Sequence, residues 1–80
     1  MNIYFCHEWC ENSGLYIVAK TRGFAKKYFS IVTCIDFIDI RCNIHRKNVD
    51  ETEEDSIDLG DSRLKKYDLY YCDEYGNEIQ

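Results

Sequence analysis

Proline, internal repeats and long apolar runs are all missing from this chain, and their absence limits the classes of protein to which it can belong. Without a proline-rich linker, residues 1–80 are predicted to form a single domain. A membrane-spanning helix needs roughly 20 consecutive apolar residues, and no apolar run here approaches that length. Residues 1–8 lack the basic start and the apolar stretch of a signal peptide, which favours a cytoplasmic location.

The sequence also lacks the residue patterns of the common catalytic sites. It contains no glycine-rich phosphate loop, no nucleophile elbow and no pair of metal ligands spaced along a helix. A nucleophilic thiol needs a base beside it, but Cys6 and His7 are neighbours on a predicted strand and should point to opposite faces of the sheet. We therefore expect no enzymatic activity and predict a protein that works by binding.

Five cysteines raise the questions of disulfides and of a metal site. The odd number and the missing export signal favour reduced thiols. Cys6, His7 and Cys10 offer zinc ligands within five residues, but a closed zinc site needs four ligands, and Cys42 or Cys72 would have to come close in space. We expect no metal or cofactor, and a small zinc-stabilised domain is kept as an alternative.

Hydrophobic patterns predict an α+β fold. A main helix is expected over residues 22–32, capped by Thr21, and a short helix over residues 63–67 that starts at Asp61 or Ser62. Alternating apolar residues predict strands at about residues 2–6, 15–20, 38–45 and 69–72, with a final short pairing at Ile79. The first two strands are predicted to form an antiparallel hairpin, because the turn signal at residues 12–14 lies between them. The predicted order is β-β-α-β-(short α)-β, a small antiparallel sheet with one main helix packed on one face.

The segment 38–45 has the clearest strand pattern, because apolar and polar residues alternate over all eight positions. Ile38, Ile40, Cys42 and Ile44 should face the helix. The other face of the sheet should then show its polar residues to water or to a partner, namely Asp39, Arg41, Asn43 and His45.

Negative charge is concentrated late in the chain. Residues 49–80 carry eleven carboxylates and three basic side chains, whereas residues 1–48 carry four carboxylates and seven basic side chains. The two parts contribute −8 and +3 to the net charge of −5. Blocks of like charge act outward, on solubility and on the choice of partner. We therefore predict an exposed acidic loop at about residues 48–60.

This acidic loop is the candidate binding site. Closely spaced carboxylates can engage arginine and lysine residues that normally hold nucleic acid, so the loop can imitate a phosphate backbone. A purely solubilising loop is the alternative. Exposed tyrosines among the later carboxylates are typical interface anchors. The predicted partner-binding residues are Asp50, Glu51, Glu53, Glu54, Asp55, Tyr70 and Tyr75.

A second charged surface is basic. Arg22, Lys26 and Lys27 are expected on the outer side of the main helix, where they could serve a nucleic-acid-binding accessory protein. The net charge of −5 works against this alternative, because it repels a polyanion unless the charges are well separated.

Small size, acidity and two segments carry a resemblance to known proteins. The segments are AKTRGFAKK at residues 19–27, and LKKY at residues 64–67 followed by YCDE at residues 71–74. With them the chain resembles the short proteins encoded by bacteriophages and prophages of Gram-positive bacteria, and it is similar in general character to the anti-CRISPR inhibitors. The resemblance implies an inhibitor that acts in a host cytoplasm and occludes the nucleic-acid site of a basic partner, such as a CRISPR effector. An exposed edge strand would also allow a homodimer.

Overall fold

A four-stranded antiparallel sheet forms the centre of the protein, in the strand order β3-β1-β2-β4. The computed structural model describes residues 1–73 and 75–79. The α+β fold with one main helix is confirmed, and a separate two-stranded sheet pairs β5 with β6. The elements are β1 (Asn2–Glu8), β2 (Gly14–Ala19), α1 (Arg22–Thr33), a 3₁₀ helix (Phe37–Asp39), β3 (Ile40–Arg46), β4 (Asp55–Ile57), α2 (Ser62–Lys66), β5 (Tyr71–Cys72) and β6 (Glu78–Ile79).

The first two strands form the predicted antiparallel hairpin, with a register that runs from Asn2 opposite Ala19 to His7 opposite Gly14. Gly14 begins β2 at a point where the two strands approach closely. A Cβ atom at this position would collide with the backbone carbonyl of Cys6, so a larger residue cannot replace glycine without moving the strand.

The main helix α1 begins as predicted. The Thr21 hydroxyl oxygen accepts a hydrogen bond from the Phe24 N–H at 3.3 Å, which satisfies one of the free donors of the first turn. Ala25 and Phe29 are buried against the sheet. The three- and four-residue spacing of apolar residues in the sequence predicts a wide apolar face that includes Phe24, Ile31 and Val32, but these three side chains are about half exposed or more, so the buried face is narrow. No helix in the described part of the chain is long and apolar enough to span a membrane.

The sheet has a second hydrophobic core on the face opposite α1. Ile3, Val18 and Ile57 are fully buried there, and the C-terminal third of the chain covers them with Tyr67 and Leu69. The expectation that this face would be open is therefore wrong for β1, β2 and β4. It holds only at β3, the edge strand on the far side from β4.

Strand β3 is shorter at its start than the sequence predicted. Asp39 belongs to the 3₁₀ helix and lies outside the strand, and Ile38, expected in the core, is exposed. Ile44 is also partly exposed, so only Ile40 and Cys42 of the four apolar positions are buried. The polar side chains of the remaining alternation stay exposed, namely Arg41, Asn43 and His45.

The acidic segment contains a strand that the sequence reading missed. Strand β4 pairs with β2 in antiparallel register, with Ile57 opposite Tyr16 and Asp55 opposite Val18. The prediction of a continuous loop over residues 48–60 is therefore wrong for residues 55–57. Ile57 anchors this strand, because its side chain is fully buried in the second core.

Candidate partner-binding surface

Arg63 lies at the centre of the acidic segment and binds three carboxylates. Its Nη1 is 3.2 Å from Glu51 Oε1, and its Nη2 is 2.8 Å from Asp55 Oδ2 and 2.7 Å from Asp61 Oδ2. The Arg63 side chain is only 19% exposed. We call these four residues the Arg63 cluster. The planar guanidinium group suits this role, because it presents several fixed donors at once.

Local structure places Arg63 in this position. Asp61 caps α2, since its Oδ1 accepts a hydrogen bond from the Arg63 N–H at 2.9 Å. The arginine therefore stands in the first turn of α2, beside the start of β4. Its Nη2 also donates to the backbone oxygen of Ser56 at 3.3 Å, and Asp55 Oδ1 accepts from the Ser56 N–H at 2.8 Å. These contacts fasten the loop between β3 and β4 to the start of α2.

The cluster changes the ionisation of its members. The side-chain hydrogen bond from Arg63, followed by its backbone hydrogen bond and its positive charge, lowers the pKa of Asp61 below the usual aspartate value. The carboxylates in turn raise the pKa of Arg63, with Asp61 as the largest cause. Asp61 and Arg63 are therefore both charged at neutral pH.

One arginine does not neutralise three carboxylates, so the cluster keeps a charge of about −2. Glu53 and Glu54 add to it, because both are exposed and neither takes part in a salt bridge within the described residues. Residues 51–55 and Arg63 line a shallow hollow of about 330 Å³ at this place. The edge of the sheet at β4 is thus electronegative after the internal ion pairs are counted.

The seven predicted contact residues differ in what they present to solvent. Glu51 and Asp55 hold Arg63, and Asp50, whose side chain is 82% exposed, lies 3.6 Å from the ammonium group of the half-exposed Lys66. Of the seven, only Glu53 and Glu54 have carboxylates that take part in none of the salt bridges of the described residues.

The role of Arg63 was not predicted from the sequence. The available signal was that it is the sole arginine among the many carboxylates of residues 49–80.

Tyr70 and Tyr75 are exposed, as expected for anchors, but they lie apart from the acidic loop in the fold. Tyr70 lines a cleft of about 1060 Å³ whose walls include none of the five predicted acidic residues, and Tyr75 is 81% exposed in the turn between β5 and β6. The structure therefore does not group the two tyrosines with the carboxylates in one pocket.

This cleft lies beside the open part of the second sheet face. Tyr16 occupies its floor, and its ring contacts those of Phe5, His45 and Tyr71 at centroid distances of 5.1 to 5.2 Å. The Tyr16 hydroxyl donates to the Tyr70 carbonyl oxygen at 3.1 Å. The cleft thus offers aromatic surface for contact with an apolar or planar group.

The Tyr71 hydroxyl has a structural role in the cleft wall. It accepts a hydrogen bond from the Tyr16 N–H at 2.9 Å and donates to the carbonyl oxygen of Ile57. Burial is the main cause that raises the pKa of Tyr71 to about 12. This hydroxyl therefore stays protonated at neutral pH and ties the C-terminal segment to β2 and β4.

The residues of the zinc alternative are not brought together. Cys6 is buried and faces Cys42, His7 Nδ1 lies 2.8 Å from the Glu8 carbonyl oxygen, and Cys10 is exposed. Within residues 1–73 and 75–79, no group of three or more His, Cys, Asp or Glu side chains is arranged to hold a metal ion. The geometry gives the zinc-stabilised alternative no support.

The basic residues of α1 lie on the opposite side of the sheet from the Arg63 cluster. Arg22 and Lys27 are exposed on α1, and the Lys26 ammonium group lies 4.5 Å from the centroid of the Phe37 ring. Helix α1 covers the core formed with β1, β2 and β3, whereas the segment after β4 covers the other face. The sheet therefore separates the basic residues of α1 from the Arg63 cluster.

A scan against protein-family models, a search of the curated proteins and a search of the solved structures found no match to this chain.

Proposed function

We propose that this protein is a binding protein that inhibits a nucleic-acid-handling complex of a host cell, such as a CRISPR effector, by acidic contacts with a basic surface of that complex. The Arg63 cluster is the observation that supports the proposal. It holds the acidic loop in a defined conformation and leaves it with excess negative charge, because one guanidinium group serves three carboxylates.

A fixed acidic loop suits a competitor of nucleic acid. Carboxylates accept charge-assisted hydrogen bonds from the same arginine and lysine side chains that bind phosphate. A flexible loop would lose conformational freedom on binding, and that loss reduces affinity. Arg63 makes much of this ordering part of folding, since it connects Glu51, Asp55 and Asp61 before any partner arrives.

The proposal assigns different tasks to the acidic residues. Glu53 and Glu54 make the direct contacts, because their carboxylates are exposed and unpaired among the described salt bridges. Glu51 and Asp55 position the loop through Arg63 and add to the field. The surplus charge speeds the encounter with a basic surface, and the binding weakens as salt is added. Tyr70 and Tyr75 serve as aromatic anchors at the other end of the interface.

Affinity capture with two charge-matched variants tests the proposal. The test variant is Glu53→Gln with Glu54→Gln, and the control is Asp36→Asn with Asp39→Asn, which removes the same charge from two positions outside both the acidic loop and the cleft. Capture from a bacterial lysate at low and high salt should recover a basic, nucleic-acid-associated partner with the wild type and the control. At low salt, the test variant should recover much less of this partner. At high salt, the wild type and both variants should all recover less of it.

Two results would contradict the proposal. One is that no basic or nucleic-acid-associated partner is recovered at low salt. The other is that both variants lose the partner equally, which would mean that net charge alone matters. The captured complex is then mixed with labelled nucleic acid. The chain should prevent nucleic acid from binding to its partner, and unchanged binding would refute the inhibitory role.

The basic helix supports a second candidate, direct binding of nucleic acid by an accessory protein. Lys26 and the half-exposed Phe37 place positive charge beside an aromatic ring, which is the combination used to bind single strands. Gel retardation by the purified chain tests it. Retardation that disappears when Lys26 and Lys27 become Gln would favour this function over the first, whereas no retardation would exclude it.

A further inference from the structure

Cys6 and Cys42 form a close pair of thiols inside the protein. They lie directly opposite each other on β1 and β3, and their Sγ atoms are 2.8 Å apart. Cys6 is fully buried and Cys42 is 8% exposed. Neither the proposed partner-binding surface nor the aromatic cleft uses this pair.

The register of the two strands suits a covalent link. Hydrogen-bonded and non-hydrogen-bonded pairs alternate along an antiparallel ladder, and side chains are closer in the non-hydrogen-bonded pairs. The Trp9 N–H donates to the Asp39 carbonyl oxygen at 2.8 Å, which marks that pair as hydrogen-bonded. Counting back three positions puts Cys6 and Cys42 in a non-hydrogen-bonded pair. The usual Cα separation of such a pair, about 4.5 Å, lies within the range that disulfides span.

The two thiols differ in reactivity. The hydrogen bond between them stabilises a thiolate on Cys42, and the positive charges of Arg22 and Lys26 act in the same direction, so the pKa of Cys42 is lowered. The same hydrogen bond, followed by burial, raises the pKa of Cys6. Cys42 is also the more accessible of the two. It is therefore the thiol that meets an external reagent first.

We propose that Cys6 and Cys42 form a reversible cross-strand disulfide by exchange with a small disulfide such as oxidised glutathione. The Cys42 thiolate attacks one sulfur of the reagent, forms a mixed disulfide and releases one thiolate, which takes up a proton. The Cys6 sulfur then loses its proton and attacks Cys42 Sγ, which expels the second reagent thiol. Two protein thiols are oxidised and one disulfide is reduced to two thiols, so atoms and electrons balance.

The link would join the central strand β1 to the edge strand β3. It would close a loop that contains β2 and α1, and a closed loop of this size lowers the entropy of the unfolded chain. The oxidised protein should therefore resist unfolding more than the reduced protein. This modification site does not depend on the proposed function.

The test uses the variant Cys10→Ser/Cys34→Ser/Cys72→Ser, which removes the exposed thiols and keeps the buried pair. After equilibration with oxidised glutathione, the mass should fall by about 2 Da and no thiol should react in denaturant. Trypsin should release residues 1–20 joined to residues 42–46. The Tm should rise by about 10 °C or more and return to its starting value with dithiothreitol.

A second route covers the case in which the triple variant does not fold. The wild-type protein is alkylated in the native state with limiting reagent, the product that carries three alkyl groups and a free Cys42 is purified, and this product is then treated in the same way. A matched Cys42→Ala variant defines the baseline, since it cannot form the link. Two thiols that remain free, a stable glutathione adduct without an internal link, or a disulfide with an unchanged Tm would each overturn the proposal.

Discussion

Replacement of Arg63 by alanine is the sharpest test of how the acidic loop is held. The substitution leaves three carboxylates, on Glu51, Asp55 and Asp61, near one another without their shared cation. It also removes the hydrogen bond to the Ser56 carbonyl oxygen. We expect the native state to lose stability and the loop to detach from α2.

The expected loss of stability in Arg63→Ala follows from how exposed each carboxylate partner of Arg63 is. Exposed ion pairs contribute about 0.2–1 kcal/mol, and hydrogen bonds to charged groups that are less exposed contribute about 1.5–3 kcal/mol. The Asp55 side chain is half exposed, so its pair belongs to the weak class, while Glu51 and Asp61 lie between the two classes. Arg63→Ala should therefore cost about 2–3 kcal/mol, out of a total of about 4–12 kcal/mol for a domain of this size.

Urea unfolding followed by circular dichroism measures this loss in the free energy of unfolding. In thermal unfolding, the Tm should fall by roughly 10–20 °C. Arg63→Lys is the matched control, because it keeps the charge but loses the planar fork, and it should lose only part of the stability. Added salt should narrow the gap between Arg63→Ala and the wild type, since it screens the repulsion among the carboxylates.

The pH dependence of the stability provides an independent test of the role of Arg63. Arg63 lowers the pKa of Asp61 in the folded state. The resulting stability is present above the unfolded aspartate pKa of about 3.9 and is lost as the pH falls through the lower folded value. The difference between the wild type and Arg63→Ala should therefore shrink below about pH 4. If the free energy of unfolding of Arg63→Ala lies within about 0.5 kcal/mol of the wild-type value at pH 7, this reasoning is refuted.

Three further substitutions test the fold around the site. Gly14→Ala should destabilise the protein by about 2 kcal/mol or more in urea unfolding, because the new Cβ meets the Cys6 carbonyl; a loss below about 0.5 kcal/mol would contradict this. Tyr71→Phe should cost about 1–3 kcal/mol, because it leaves a backbone N–H of β2 without its acceptor, and a neutral result would show that water replaces the hydroxyl. Thr21→Ala should cost about 1 kcal/mol and reduce the helical signal in circular dichroism, whereas Thr21→Ser should be nearly neutral.

Local features of the fold were predictable from sequence. The start of α1 at Thr21 and of α2 at Asp61 were identified because a cap is encoded within a few residues. The β1–β2 hairpin was also identified, since the turn signal lies between two apolar strands. The second core was missed, although β1 is apolar on both faces, with Ile3 on one side and Cys6 on the other. Such a pattern indicates a strand buried from both sides.

The candidate site was predictable only in part, because its organisation depends on contacts distant in sequence. The concentration of carboxylates was evident, but Glu51 and Arg63 are twelve residues apart, and their contact belongs to a fold in which β4 pairs with β2. Strand β4 has three residues and one buried apolar side chain, Ile57, which is too weak a pattern to separate from a loop. Whether Glu53 and Glu54 bind a partner stays a prediction.

The position of the second core has a consequence for biosynthesis. Ile3 and Val18 are made early, but Tyr67 and Leu69, which cover them, are made much later in the chain. A nascent chain that has completed β1, β2 and α1 therefore displays a bare apolar surface, of the kind that chaperones recognise and that promotes aggregation. We expect translation that pauses before residue 67 to yield an aggregation-prone intermediate, and slow delivery of the segment that contains Tyr67 and Leu69 should lower the yield of native protein.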